Sequence, residues 1–510
     1  MLNRPSVLFC LSRLSLVSLV VVTIAGCSVG REVKSPDLAL TQVNLPLDET
    51  TRFTAAEPVV TWWRRFEDDL LTELVQQSLE TSYSVRIAAA RLAESRALYR
   101  EVRKDYYPTV ESEFNASERQ QSRQGAIPVF GDRRDTTYEL FLDASWEIDL
   151  WGAVRSRVQQ ADLTLQAQTA SLQDAYVSIA AEVSDVYTLL RGAQYRLDVA
   201  LRNASNQEDT YELTQTRVRG GTGTSLDTAR ALAQLQLTLA TIPPLRADVN
   251  ANINRLNVLT GGLSDNIRQQ LADQKDLPEV PVTVAVGDMQ TLIRRRRDIR
   301  QAELTFLSSV AEYNVNVADL YPRIDFLGSI GYLSTTLSDL TGSAAATQLI
   351  SGRISWPALN LGRVRARIAA ADARTQLRLA EFEQTLSRAL EEIDSSMVNF
   401  NRQEERRQLL QLAREASADA LSLAERRFEA GIDDFLDVLD AQRSLLQAED
   451  QLAQSDIQVV QNLIAVYRAL GGGWQITSTR IDEDVADDDT RTLTEQQSAF
   501  LKPVSGPDGS

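Results

Sequence analysis

Two periods of apolar residues alternate along the chain. Residues 152 to 219 contain no proline and are mostly Ala, Leu, Gln, Glu, Arg and Ser, and residues 362 to 429 have the same character. In the first block Leu172, Tyr176, Val183 and Leu190 step by four, seven and seven, as coiled-coil core positions do. Phe382, Leu386, Ile393 and Phe400 repeat those steps 210 residues later. At 1.5 Å per residue, about 65 residues of helix extend roughly 100 Å. Between the helical blocks the period falls to two. Tyr138, Leu140, Leu142, Ala144, Trp146 and Ile148 alternate with Glu139, Phe141, Asp143, Ser145, Glu147 and Asp149. Ile324, Phe326, Ile330 and Tyr332 alternate with Arg323, Asp325 and Ser329. Ile350, Ile354 and Trp356 alternate with Ser351, Arg353 and Ser355, and Val110 and Phe114 face Glu111, Glu113 and Asn115. This pattern fits a half-buried soluble strand. It equally fits a membrane strand with lipid on one side and water on the other, which needs about 9–11 residues.

The two blocks belong to a tandem repeat. Asp105-Tyr106-Tyr107-Pro108 recurs as Asp319-Leu320-Tyr321-Pro322, and Arg86 and Ala88 return as Arg300 and Ala302, all at an offset of 214. In the segment Trp146 to Arg157, Trp146, Gly152, Val154, Arg155 and Arg157 match Trp356, Gly362, Val364, Arg365 and Arg367 at an offset of 210. Gly221, Leu226, Asp227 and Ala231 match Gly431, Leu436, Asp437 and Ala441 at the same 210. Each half therefore predicts a helix ending at Tyr-Pro, two strands around a polar loop, a very long helix, a glycine turn and a second helix. Ile242-Pro243-Pro244 breaks or kinks that second helix in half one, whereas its counterpart in half two runs on to about Leu470. Residues 263 to 286 read as a poorly periodic connector, and the acidic end from about Asp482 reads as a disordered tail.

Composition narrows the function classes. The 510 residues carry a formal net charge of -17, which argues against a nucleic-acid partner. There is no histidine, so triad hydrolases and most zinc enzymes are disfavoured, and no catalytic or metal-binding residue is assigned. The only cysteines are Cys10 and Cys27. The N-terminus places Arg4 and Arg13 before an apolar run that ends in Ile24-Ala25-Gly26-Cys27, a pattern resembling a bacterial lipoprotein signal. Cleavage before Cys27 and acylation of its thiol are expected, with no other cofactor. Ser28 after the cysteine points to the outer membrane. No later segment offers about 18 uninterrupted apolar residues, so any further crossing must use strands. Four strands cannot close a barrel, and open edges cannot sit in lipid. Once the membrane is granted, three chains pooling twelve strands give a closed barrel with a polar lumen.

One acidic cluster stands out: Asp433, Asp434, Asp437 and Asp440 after Gly431. Steps of one, three and three with Phe435 and Leu436 between them do not match an EF-hand loop, and no nucleophile or sugar platform accompanies them. Asp434 with Asp437 resembles a capping box, as does Thr224 with Asp227. Asp440 lies further into the helix, and its counterpart 210 residues back is Arg230. The run Arg294 to Arg297 reads as a solvated helix start, and Trp62-Trp63 as packing or membrane-near anchoring residues.

These motifs, in order, resemble the TolC-like outer-membrane factors, in particular the lipoprotein (NodT-type) branch of efflux outer-membrane channels. The resemblance rests on Trp62-Trp63-Arg64-Arg65-Phe66, on Trp146 through Gly152, on Arg294 through Glu303, and on Leu439-Asp440-Ala441-Gln442-Arg443-Ser444. It covers nearly the whole mature chain, although Arg297 stands where the family often has proline. It implies a mainly α fold with a small β part: a homotrimer whose four strands per chain make a twelve-stranded barrel and whose long helices make a twelve-helix α-barrel. The ranges that follow are a signal peptide at 1–26, an acylated N-terminus with equatorial segment and first helix at 27–106, and a first β-hairpin at 107–150. A long helical hairpin at 151–262 has its tip near 220–226. A connector at 263–298 and a helix at 299–320 lead to a second β-hairpin at 321–357. A second helical hairpin at 358–470 has its tip near 430–434, and 471–510 holds an equatorial C-terminus and the tail.

The function implied is a passive exit duct for small molecules, and not an enzyme. Its partners would be outer-membrane lipid, a periplasmic adaptor and an inner-membrane transporter of the resistance-nodulation-division type. The same duct in type I protein secretion, or a non-channel coiled-coil lipoprotein, are the alternatives. By resemblance, Asp437 and Asp440 line the closed aperture with Asp227 in the locking contacts, and Gly221 and Gly431 mark the tip where the adaptor docks. Arg stands at the position of Asp433 in the best-known member, which puts that lock in doubt. Arg230 is expected to pair with Asp440 or Asp437 instead.

Overall fold

The computed structural model describes residues 29–36, 52–122 and 134–477. The expected signal segment, Cys27 and the acidic tail lie outside the described residues. Within them, no helix is long and apolar enough to cross a membrane. The described residues fall into two compact units, one of residues 29–36, 91–122, 134–169 and 300–384, the other of residues 52–90, 170–299 and 385–477.

The first unit is built on a four-stranded antiparallel sheet. Its strands are β2 (Thr109–Gln120), β3 (Arg134–Glu147), β5 (Arg323–Ser334) and β6 (Ala346–Ser355), paired in the order β2-β3-β5-β6. Register sorts the two faces. Phe114 lies opposite Leu140, which lies opposite Tyr332; Ile324 lies opposite Ile354. On the other face Glu111 meets Asp143, Asp143 meets Ser329, and Asp325 meets Arg353. Because side chains alternate across a strand, one face is apolar and the other charged. Ile350, Ile354, Val110 and Ile330 are exposed on the apolar face. Strands of 10 to 14 residues are long enough to span a bilayer.

The repeat also preserves a hydrogen bond in this unit. The Trp146 indole N–H donates to the carbonyl of Tyr106 at 3.2 Å, and the Trp356 indole to the carbonyl of Leu320 at 3.0 Å. Each carbonyl sits two residues before the proline that ends its helix. Each half thus ties the foot of its returning strand to the end of its entering helix. Trp151 adds a stacked contact with Tyr321, centroids 4.7 Å apart, and donates to the Pro322 carbonyl at 2.8 Å. After the sheet, Asp149 accepts from the backbone N–H groups of Val154 and Arg155 at 3.1 and 2.9 Å. Those are first-turn donors of α3 (Ala153–Arg219), a helix of 67 residues.

The second unit holds the remaining elements. A two-residue parallel pair joins β1 (Phe53–Thr54) to β4 (Val284–Ala285). Helices α1 (Asp69–Thr81), α4 (Ser225–Leu239) and α5 (Ile242–Leu259) lie in it, and α2 (Tyr83–Arg103) begins there. Prolines at the first positions of α5 explain the break after Leu239, since they have no N–H to continue the preceding ladder. The stretch read as a poorly periodic connector contains α6 (Asp265–Ala272). Ser264 caps it, accepting from the Ile267 N–H at 3.3 Å, and Ile267 and Leu271 are buried. Eight residues are too few to display a helical period. In the second half α9 (Leu361–Glu429) runs 69 residues, and α10 (Phe435–Ala469) continues unbroken for 35.

The core of this unit is aromatic. Trp62 and Trp63 are fully buried in a short 3₁₀ turn, with Trp62 stacked on Tyr467 at 5.1 Å. Their own indole N–H groups find no acceptor among the described residues, but several buried polar side chains nearby are paired. Arg191 is 0% exposed, and its guanidinium donates to Gln194 Oε1 and to the Asp273 carbonyl, both at 2.7 Å. Gln194 donates to the Leu271 carbonyl at 2.8 Å, so both side chains cap the C-terminus of α6. Asp68 caps α1, accepts from Tyr187 at 2.7 Å and pairs with Lys275 at 3.0 Å. Burial works to raise its pKa, but those hydrogen bonds and the lysine hold the carboxyl below the usual range.

The arginine run is not a solvated helix start. Arg294 and Arg295 end α7 (Met289–Arg295), Arg297 opens α8 (Arg297–Ala318), and Arg296 sits buried at the break. Its charge is compensated by Asp298 and Glu392, at 2.8 and 2.7 Å, and by the Ala469 carbonyl at 2.9 Å. Arg295 donates to the Pro58 carbonyl at 2.9 Å, and Arg297 lies 3.5 Å over the Trp474 ring. The run therefore ties the ends of α7, α8 and α10 to the N-terminal segment. Beside it, Asp174 is pushed up to about 6, first by burial and then by Asp298, against the pull of Arg296 and Arg468.

A carboxyl whose folded pKa is raised costs stability above that pKa and regains it as pH falls toward the ordinary value of 3.8. Asp174→Asn should therefore raise the thermal midpoint at pH 7.5, by the equivalent of about 1–3 kcal/mol. The two proteins should converge near pH 4.5 when unfolding is followed by circular dichroism in detergent. A gain that is the same at both pH values would contradict this account.

Candidate functional site: the paired glycine turns

Both long helices end in the same local structure. At Arg219 the chain leaves α3 with Gly221 at φ +75°; at Glu429 it leaves α9 with Gly431 at φ +72°. The Thr222 N–H bonds the Arg217 carbonyl at 2.9 Å and the Gly221 N–H bonds Val218 at 3.0 Å. In half two Ile432 bonds Arg427 at 2.9 Å and Gly431 bonds Phe428 at 3.0 Å. These are two Schellman motifs, 210 residues apart, and each requires a left-handed residue at its turn. A Cβ added at either glycine would meet nothing within 4 Å, so backbone conformation alone demands glycine there.

Beyond the turns the halves differ. Thr224 and Asp227 form a complete capping box: Asp227 N–H donates to Thr224 Oγ1 at 3.2 Å, and Asp227 Oδ2 accepts from the Thr224 N–H at 3.3 Å and its hydroxyl at 2.6 Å. The expected box at Asp434 and Asp437 is not formed; Asp434 is the N-cap residue of α10 but its side chain makes no capping bond. Thr224 can donate to the carboxylate three residues on, whereas Asp434 would bring a second negative charge against Asp437.

Asp433 has a different role. It pairs with Arg427, whose Nε and Nη2 both donate to its carboxylate, the latter at 2.8 Å. That hydrogen bond holds the Asp433 carboxyl below its ordinary range. The equivalent residue in half one is Gly223, so Arg217, the counterpart of Arg427, has no acid to clasp. Arg217 instead lies over the Phe428 ring at 4.1 Å and donates to the Phe428 carbonyl at 3.3 Å. Arg217, Arg427 and Phe428 are the members of this site that pattern reading missed. The repeated arginine at offset 210 was the available signal.

The two turns are joined by packing. Phe435, Val438 and Leu439 of α10 are buried against Ala231 of α4, and Phe428 meets Phe435 at 5.6 Å. Arg443 donates to Gln234 at 2.8 Å, and Gln442 to Thr210 at 3.0 Å. With that face of α10 buried, Asp437 and Asp440 fall on the exposed face, three residues apart and hence neighbours on the helix surface. Arg230 is half-buried on α4, and no ion pair joins it to Asp437 or Asp440 within the chain. Among the described residues no group of three His, Cys, Asp or Glu side chains is placed to hold one metal ion. The site offers exposed carboxylates on rigid helix starts, and no nucleophile with a base.

The family model described as outer membrane efflux protein matches residues 74–262 and 289–472. The chain is 28% identical over 469 residues to the probable efflux pump outer membrane protein TtgC of Pseudomonas putida, covering 90% of this chain and 96% of that one. It is 28% identical over 460 residues to outer membrane protein OprJ of Pseudomonas aeruginosa, covering 89% and 95%. Among solved structures, the outer-membrane channel OprN superposes with a TM-score of 0.81 at 36% identity, covering 88% of this chain and 100% of that one.

Loss of the one capping box that forms should be measurable. Thr224→Ala is expected to cost about 1 kcal/mol and to speed amide exchange in the first turn of α4, whereas Asp434→Ala should leave the start of α10 within a few tenths. Equal effects from the two substitutions, read by hydrogen–deuterium exchange, would contradict the asymmetry.

Proposed function

Because the chain belongs to the outer membrane efflux protein family, we propose that it forms the outer-membrane exit channel of a tripartite efflux system. The observation that carries this reading is the sheet: four strands of spanning length, one apolar face, one charged face, and edges at β2 and β6 with no partner among the described residues. An unpaired edge in hydrocarbon costs several kcal/mol per group. Three chains that pair β2 with β6 of a neighbour remove every edge, with charged faces lining a wet lumen. The N-terminal lipid on Cys27 adds an anchor in the same membrane.

In this assembly the long helices carry the duct away from the membrane, and the glycine turns form its far end. There the adaptor docks around Gly221 and Gly431, linking the duct to an inner-membrane transporter of the resistance-nodulation-division type. Transport is passive in this chain, which performs no chemistry. Asp437 and Asp440 from three chains converge on the aperture, where six carboxylates favour cations and resist closure. Arg230 of a neighbouring chain supplies the counter-charge, since no ion pair joins Asp437 or Asp440 to a described residue of its own chain. The clasp of Asp433 by Arg427 keeps that acid out of the aperture.

Planar-bilayer recording tests the reading. The wild-type protein should conduct with cation preference. Asp437→Ala combined with Asp440→Ala should abolish that preference, and Arg230→Ala should raise conductance. A protein that inserts no conducting pores would overturn the channel; unchanged selectivity and conductance in both variants would overturn the aperture assignment alone.

A further inference from the structure

Beside the paired turns, α3, α9 and the start of α10 enclose a groove of about 430 Å³. Its floor holds Gln207, only 3% exposed, whose side-chain carbonyl Oε1 has no hydrogen-bond partner among the described residues. A buried acceptor without a donor is costly, on the order of 1–3 kcal/mol, and such groups in folded proteins are nearly always satisfied. The walls include Phe428 and Phe435. The rim carries Asp209, Glu425 and Glu429, and no lysine or arginine lines the groove. Arg217 stands on one face of Phe428 without joining the lining.

We propose that this groove is a binding site for a small organic ammonium ion with an apolar body. The chemistry selects each part of that ligand. Gln207 Oε1 needs an N–H donor, and three carboxylates that form no ion pair among the described residues attract positive charge and exclude anions. The aromatic walls accept a hydrocarbon portion and attract a cation to their faces. A bare metal ion is a poor match, because the acids are spread along the rim rather than gathered on one point. Partial desolvation at the groove rim, then repulsion from Glu429, raises the Glu425 pKa above the ordinary carboxylate value. The volume lies in the range of small-molecule sites. The assignment stands on the groove itself and does not depend on whether the assembled protein conducts.

Isothermal titration calorimetry on the full chain in detergent tests it, with 2-phenylethylammonium as the probe and 2-phenylethanol as its uncharged counterpart. The ammonium should bind saturably and at least tenfold more tightly than the alcohol. Glu425→Gln combined with Glu429→Gln, both at exposed positions, should weaken the ammonium at least tenfold with helicity unchanged. Gln207→Leu, which removes the buried acceptor, should weaken it several-fold. No saturable ammonium binding, equal binding of the alcohol, or affinity unmoved by the double glutamine variant would each overturn the proposal. The first of these is also the result expected if a lysine from another protein were the groove's only occupant.

Discussion

The unpaired edges of β2 and β6 are the constraint on which the rest of this protein depends. A strand edge in water is merely sticky; in hydrocarbon it is excluded, because no solvent can take up its N–H and C=O groups. The described residues leave two such edges open. The Trp146 and Trp356 hydrogen bonds fix each hairpin to its entering helix, and Asp149 hands the first hairpin directly into α3. Short ties at the strand feet leave the sheet little freedom to slip in register, and a slip of one residue would turn every apolar side chain toward the charged face.

A different solution holds the second unit together. There the chain buries charge and answers it with backbone. Arg191 and Arg296 are both enclosed, and both spend donors on the carbonyls at helix C-termini, those of α6 and α10. A helix end presents carbonyls without partners and the negative end of the dipole, so a guanidinium satisfies several groups at once. Asp68 performs the reverse service at the N-terminus of α1. Together these contacts fasten short elements that could not hold themselves in place by apolar area.

Much of this was legible in the sequence, and the reason is periodicity. Leu172, Tyr176, Val183 and Leu190 announce their helix because a seam maintained over many turns leaves a long record, and all four are buried. The strands were legible because both faces are chemically distinct. Where a feature depends on a single residue's choice of partner, pattern failed. Arg296 looked like one of four equivalent surface arginines, yet it alone is enclosed between two acids and a helix end. The Asp434 box satisfied the spacing rule but not the electrostatics, since it would set two carboxylates, Asp434 and Asp437, against each other. The eight-residue α6 left no period to read. Gln207 could not be singled out at all, because its significance lies in an absent bond.

The difference between Gly223 and Asp433 has an evolutionary side. Duplication first gave both turns one inheritance, so that an undifferentiated chain would have shown two identical corners. One clasped turn and one open turn make the two corners distinct. From then on a single codon can retune one corner while the other keeps its old behaviour. A Gly223→Asp change would place an acid beside Arg217 and restore the likeness of the two turns.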